Sequence, residues 1–171
     1  MAAGDIKTTY GASAALTITL ASLATSATRV AGRESTAVDN TTNKYLDYLV
    51  SGKVTTGTTP TDAKQIDVWV YASFEDTPTY PDVFDGTDSA ETATSAGVLA
   101  GALVLAASVS TNNTSDRTYW VAPFSIAALF GGRMPKFFGI FVTHDTGVNL
   151  NSTGGNHAFW HTPVYENVAQ S

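Results

Sequence analysis

Residues 136–144 read KFFGIFVTH, a stretch that is apolar on both sides of an extended backbone. Two sets of side chains alternate along it: Phe137, Gly139 and Phe141 on one face, and Phe138, Ile140 and Val142 on the other. A strand with this pattern lies in the middle of a sheet and is covered on both sides. We expect the second set in the core, the first set beneath a loop or another subunit, and His144 beyond the sheet edge.

Residues 65–74 (QIDVWVYASF) show the clearest two-residue period of the chain. Their apolar set would face the core, whereas Trp69 and Tyr71 lie on the opposite face. Six more segments have strand character: residues 14–23, 29–35, 45–55, 103–110, 118–122 and 157–168. The connections are rich in turn residues, and only residues 88–96 and 125–130 have helix-start signals.

Eight strands without β-α-β alternation predict an antiparallel rather than a parallel arrangement. The fold class predicted is all-β, an eight-stranded antiparallel jelly-roll sandwich with short helical turns in its loops. An immunoglobulin-like sandwich is the alternative. The length of 171 residues fits one domain. We assign residues 13–171 to it and residues 1–12, which lack a hydrophobic period, to an N-terminal arm that runs along a neighbouring subunit.

The composition excludes several classes of function. Charged residues make up only 14% of the chain, and 26 Thr and 14 Ser supply much of its polar surface. A net charge of −6 with nine scattered basic residues argues against a nucleic-acid partner. No run approaches the roughly 20 apolar residues of a membrane span. The absence of Cys excludes disulfides and thiolate chemistry.

Two clusters of side chains could in principle hold a metal ion. His144, Asp145, His157 and His161 combine ligand types, but His157 and His161 are four residues apart on a strand and therefore about 13 Å apart. The acidic loop Asp82, Asp85, Asp88 and Glu91 offers oxygen ligands for Ca²⁺ without the EF-hand spacing. We interpret the histidines as local hydrogen-bonding groups. The acidic loop reads as a solvated segment in which Asp88 caps a helical turn.

Signatures of catalysis and of cofactor binding are missing from the sequence. No G-x-S-x-G nucleophile elbow, P-loop or dinucleotide fingerprint occurs. We therefore predict that the protein is not an enzyme and has no cofactor. The four aromatic residues Trp69, Tyr71, Trp120 and Trp160 could form a sugar-stacking platform, although their apolar neighbours favour a core or subunit interface.

The run TYWVAPFSIAALFGGRMPKFFGIFVTHDTGVNLN, followed by HAFWHTPVYEN, resembles small jelly-roll virion proteins of tailed bacteriophages. The upstream segments IDVWVYASFEDT and YLDYLVSGKVTTGTTPTDAKQ are similar to the same group. The resemblance implies a capsid cement, or decoration, protein that binds the major capsid protein on the capsid surface, as a homo-oligomer and most often a trimer. A tail-associated virion protein and a carbohydrate-binding module are the alternatives. The residue pattern itself gives six candidate interface residues: Ile6, Tyr10, Trp69, Tyr71, Phe137 and Phe141.

Overall fold

The computed structural model describes residues 6–168. It contains eleven strands: β1 (Ile6–Tyr10), β2 (Ala14–Ala15), β3 (Ala31–Glu34), β4 (Val38–Asp39), β5 (Asp47–Thr55), β6 (Lys64–Ser73), β7 (Ala90–Thr92), β8 (Val104–Thr111), β9 (Thr118–Ser125), β10 (Phe137–His144) and β11 (Ala158–Val168). Helices α1 (Ala96–Ala102) and α2 (Ile126–Leu129) and a 3-10 turn (Gly154–Asn156) complete the described part. None of these helices is long and apolar enough to cross a membrane.

The strands form two antiparallel sheets that pack as a sandwich. Sheet A has the order β1-β11-β5-β9, with β2 also paired to β11. Sheet B has the order β7-β3-β10-β6-β8, with β4 also paired to β10. The all-β, antiparallel prediction is therefore confirmed. A register shift between Val50 and Gly52 bends β5 against β9. Gly52 is required there because a Cβ would collide with the Phe159 ring of β11.

The main core lies between the two sheets. Sheet B contributes Phe138, Ile140 and Val142 from β10, all fully buried, opposite Tyr48, Val50 and Val54 of sheet A. The face assignment made from the alternation in β10 is thus confirmed. The position expected for His144 is wrong: it is the last residue of β10, pairs with Ile66 and is fully buried.

A second apolar cluster covers the outer face of sheet B. Tyr71 and Phe141 lie there under Phe84, Leu99 and Leu103, and all five are buried. The covering groups come from residues 80–103 of the same chain, here called the cover segment. Both clusters therefore form within one chain, and the strands that are apolar on two faces need no second subunit to bury Tyr71 and Phe141.

Two local predictions differ from the structure, and a third is confirmed. Within residues 14–23 only β2 is a strand, and the remainder is irregular chain that inserts Leu16 and Leu20 into the core. Residues 88–96 contain β7 instead of a helix start. Helix α1 begins after Ser95, whose hydroxyl accepts a hydrogen bond from Val98 N–H. The helical turn predicted after Ser125 is confirmed as α2.

The predicted N-terminal arm contains a strand. Residues 6–10 form β1, which pairs with residues 164–168 at the C-terminal end of the same chain. Their partner strand is more than 150 positions away, so no local pattern could indicate the pairing. Residues 1–5 lie outside the described part of the chain. A contact of this segment with a neighbouring subunit stays a prediction.

Candidate contact surface

The outer face of sheet A is built from alternating side chains of four strands. On it Trp120 of β9 lies opposite Lys53 of β5, and Trp160 of β11 lies opposite Ser51. Farther along, Tyr10 of β1 lies opposite Val164 of β11. The Cβ atoms of directly opposed residues are about 4.5–5.5 Å apart, so the two side chains of each pair are neighbours on this face.

Large apolar groups on this face are left open to solvent. Trp120 is 68% exposed, Tyr10 is 63% exposed and Ile6 is 66% exposed, with Val168 directly opposite Ile6. An aromatic side chain carries about 150–250 Å² of surface, so Trp120 and Tyr10 together expose roughly 250 Å². Tyr10, Ile6 and Val168 lie together at the β1 edge of this face, whereas Trp120 lies on the opposite edge strand, β9, so the exposed apolar surface forms two patches.

Charge is distributed unevenly over the molecule. Asp47, Lys53 and Glu166 are the charged residues on the outer face of sheet A, and the Lys53 ammonium donates to the Gly155 carbonyl at 3.0 Å. Residues 65–116, which include the cover segment, contain eight Asp and Glu residues and no Lys or Arg. The outer face of sheet A therefore combines exposed aromatic groups with three charged residues, whereas the cover segment contains four acidic residues and no basic one.

The structure separates the six candidate interface residues into two groups. Ile6 and Tyr10 lie exposed on the outer face of sheet A. Trp69 packs against the second apolar cluster, and Phe137 is partly buried at the start of β10. Tyr71 and Phe141 are corrected: they are fully buried under the cover segment of their own chain, so they are interior residues.

The four aromatic residues considered as a sugar platform do not share one surface. Trp69 and Tyr71 belong to the outer face of sheet B, where the cover segment packs on them. Trp120 and Trp160 lie on the outer face of sheet A, diagonally across β5. The sequence placed Trp120 among the aromatics but not among the interface residues. Its exposure follows from its position next to Val121, which faces the core.

Two of the three histidines, His144 and His157, form hydrogen bonds with backbone groups, whereas the buried Nδ1 of His161 has no hydrogen-bond partner among the described residues. His144 Nε2 is 3.1 Å from the Leu23 carbonyl oxygen, and its Nδ1 is 2.9 Å from the Thr146 hydroxyl. His157 Nδ1 accepts from Thr55 N–H at 3.3 Å, and its Nε2–H donates to the Asn151 carbonyl at 2.8 Å. Burial lowers the pKa of His144, of His157 and of His161 below the ordinary value of 6.5.

Asp82, Asp85 and Asp88 of the acidic loop each accept hydrogen bonds from different neighbouring residues. Asp82 accepts from the Thr94 backbone and hydroxyl, and Asp85 accepts from those of Thr87. Asp88 accepts from Thr19 and from the Arg33 guanidinium, instead of capping a helix. These hydrogen bonds lower the pKa of Asp82 and of Asp85. Within residues 6–168 no three His, Cys, Asp or Glu side chains gather closely enough to hold a metal ion.

Glu34 is a buried carboxylate that the sequence did not single out. It is fully buried on β3 beneath the cover segment and accepts hydrogen bonds from the backbone N–H groups of Asp85 and Gly86. Burial raises the pKa of Glu34 from 4.5 to about 6, against the lowering effect of those hydrogen bonds. Glu34 thus fixes the cover segment on sheet B, and no spacing in the sequence would reveal that role.

Comparisons with protein-family models, with curated proteins and with solved structures give no match to this chain.

Proposed function

We propose that this chain is a structural virion protein that decorates a bacteriophage capsid and stabilises it by binding the major capsid protein. In this role it is a homo-oligomer on the capsid surface and contacts neither nucleic acid nor membrane. It carries out no catalysis and needs no cofactor. The proposal rests on the resemblance carried by residues 118–168 and on the surface that sheet A presents.

The strand order supports a jelly roll as the fold behind this role. Leaving aside the short strands β2, β4 and β7, eight strands remain. The first of them pairs with the last (β1 with β11), the second with the seventh (β3 with β10), the third with the sixth (β5 with β9) and the fourth with the fifth (β6 with β8). This is one long antiparallel hairpin rolled into two sheets, the connectivity typical of jelly rolls in viral capsid proteins. It also disfavours the immunoglobulin-like alternative.

One observation carries the functional proposal: the two sheets are covered unequally. The outer face of sheet B is buried by the cover segment of the same chain, whereas the outer face of sheet A leaves Trp120, Tyr10 and Ile6 open to solvent. Protein interfaces are enriched in aromatic residues. We therefore assign the contact with the capsid to the outer face of sheet A, with the acidic cover segment turned towards solvent.

Electron microscopy of native particles tests the assignment to the capsid. We expect density for this chain on the capsid shell, with sheet A facing the shell and the cover segment facing outward. Density for this chain on the tail alone would refute the decoration role and favour the tail-associated alternative.

A binding experiment tests the contact surface. Trp120→Ala should weaken binding to capsids assembled without this chain by at least about 30-fold, the loss expected when an aromatic residue that dominates an interface is truncated. Its thermal stability should stay unchanged, because Trp120 is largely exposed. Leu105→Ala is the matched control, since Leu105 is also an exposed apolar residue but lies on the outer face of sheet B. Equal losses in the two variants would contradict the assignment.

A carbohydrate-binding module is the second candidate, favoured by the position of Trp120 and Trp160 on one exposed face. Two indole rings on a flat sheet can stack on sugar rings, which present apolar C–H faces. A glycan array probed with the wild-type chain tests this candidate. Binding that is lost in Trp120→Ala and retained in Leu105→Ala would support it, whereas a blank array together with binding to capsids would leave decoration as the function.

A further inference from the structure

The strand β1 is an edge strand with a free side. Sheet A begins with β1, which pairs with β11 on one side and has no partner strand among the described residues on the other. An exposed edge presents a row of unpaired backbone N–H and C=O groups, which is a template for another strand. The other edge of sheet A, β9, contains Pro123 and faces the register shift in β5, and both features discourage pairing there.

The sequence of β1, IKTTY, is self-complementary when two copies run antiparallel. If Thr8 lies opposite Thr8 of the second copy, Ile6 of each copy lies opposite Tyr10 of the other and Lys7 lies opposite Thr9. Ile6, Thr8 and Tyr10 share the outer face with Val168, Glu166 and Val164. The most exposed apolar residues of the strand then form two directly opposed cross-strand pairs, the contacts that stabilise a β-sheet.

Other registers are less favourable. Moving the second copy so that Ile6 lies opposite Thr8 places Lys7 directly opposite Lys7, which is repulsive. Moving it the other way leaves Ile6 without a partner. A shift that pairs Ile6 with Thr9 places side chains of opposite faces together, so one sandwich would have to turn over relative to the other. The register centred on Thr8 pairs all five residues and opposes no like charges.

We propose that two copies of this chain associate through β1, antiparallel and centred on Thr8, so that sheet A continues from one subunit into the other. The inference does not depend on the virion role. Alternate residues of an antiparallel edge direct N–H and C=O outward, which gives about four to six backbone hydrogen bonds between the copies. The pairing leaves the outer face of sheet A exposed in both copies and joins the two faces side by side. The combined surface then carries Trp120 twice.

Cysteine cross-linking tests the register directly, because the natural chain has no Cys. Directly opposed residues have Cα atoms about 4.5–5.5 Å apart, within the range that a disulfide spans. Thr8→Cys should therefore form a covalent dimer under mild oxidation. Ser110→Cys, at an exposed position on the edge strand β8, should not. A mixture of Lys7→Cys and Thr9→Cys should cross-link, because Lys7 of one copy lies opposite Thr9 of the other. Each variant alone should cross-link only slowly, because the two identical cysteines are then two positions apart along the paired strands.

Charge variants test the same contact without a covalent bond. The double variants Ile6→Lys/Tyr10→Lys and Ile6→Glu/Tyr10→Glu each place like charges opposite one another in the paired strands. Each should associate at least about tenfold more weakly than the wild type in sedimentation equilibrium, and mixing the two should restore the dimer. Both positions are exposed, so circular dichroism of each variant should match that of the wild type.

The interface formed by five-residue strands is small, so the isolated protein should dimerise only at high concentration, at about 0.1–1 mM. A wild type that stays monomeric at about 1 mM would refute the proposal. A trimer in which Thr8→Cys cross-links no faster than Ser110→Cys would also refute it, in favour of a heterologous contact. Neither result concerns capsid binding, which the Trp120→Ala experiment measures separately.

Discussion

Gly139 of β10 lies directly opposite Tyr71 of β6, and replacing it with Ala should destabilise the protein. Gly139 pairs with Tyr71 on the outer face of sheet B, and a Cβ at this position would overlap the phenol end of the Tyr71 side chain. Moving an aromatic ring is cheap where the ring is exposed. Tyr71, however, is fully buried, its hydroxyl donates to the Ser35 carbonyl at 2.6 Å, and its ring stacks on Phe84 with centroids 5.5 Å apart.

The expected loss follows from two terms. Overpacking a buried site by one methyl group costs about 1–3 kcal/mol. Displacing the phenol from Ser35 adds about 1 kcal/mol for the lost hydrogen bond. The free energy of unfolding should therefore fall by about 2–4 kcal/mol. A chain of this length loses about 2–4 °C of melting temperature per kcal/mol, so the expected decrease is about 4–16 °C.

Urea denaturation and calorimetry of Gly139→Ala measure the loss, with Gly101→Ala as the matched control. Gly101 lies in the exposed part of α1, and a Cβ there meets no atom within 4 Å. The control should be neutral or stabilise the protein by up to about 1 kcal/mol, because Ala is the better helix residue. A loss below about 0.5 kcal/mol in Gly139→Ala would refute the packing of Tyr71 over β10.

Three further outcomes are expected. Phe141→Ala should cost about 3–5 kcal/mol, as much as Phe138→Ala, in urea denaturation of the isolated chain, because both rings are fully buried within it; a stable Phe141→Ala variant that only dissociates would restore Phe141 as an interface residue. Because the pKa of Glu34 is raised to about 6, its contribution to stability is largest below pH 4.5 and is lost as the pH rises through about 6. Between pH 4 and pH 7 the wild type should therefore lose about 2 kcal/mol of unfolding free energy relative to Glu34→Gln. A constant difference between the two proteins across that range would contradict this. Because the pKa of His157 is lowered in the native state, protonation of this residue favours the unfolded state as the pH falls below 6.5. His157→Gln should therefore lose less unfolding free energy than the wild type over that range. Parallel plots of unfolding free energy against pH for the two proteins, measured in urea titrations, would show that His157 does not contribute.

The sequence determined the features that depend on neighbouring residues. Alternation along residues 136–144 places Phe138, Ile140 and Val142 in the core, because side chains of an extended backbone alternate by geometry alone. The turn after Ser125 and the bend at Gly52 were also predictable, since a cap and a glycine act locally. The Thr-rich, helix-poor composition indicated the all-β class for the same reason.

Only the tertiary structure decided what covers each face. The same two-sided pattern in β10 fits a subunit interface or an intramolecular cover, and the choice depends on where residues 80–103 fold back. Glu34 became a buried anchor because Gly86, more than 50 positions away, brings its N–H to the carboxylate. The pairing of residues 6–10 with residues 164–168 joins the two ends of the described chain. Contacts between distant residues depend on the packing of the whole chain, so no local period records them.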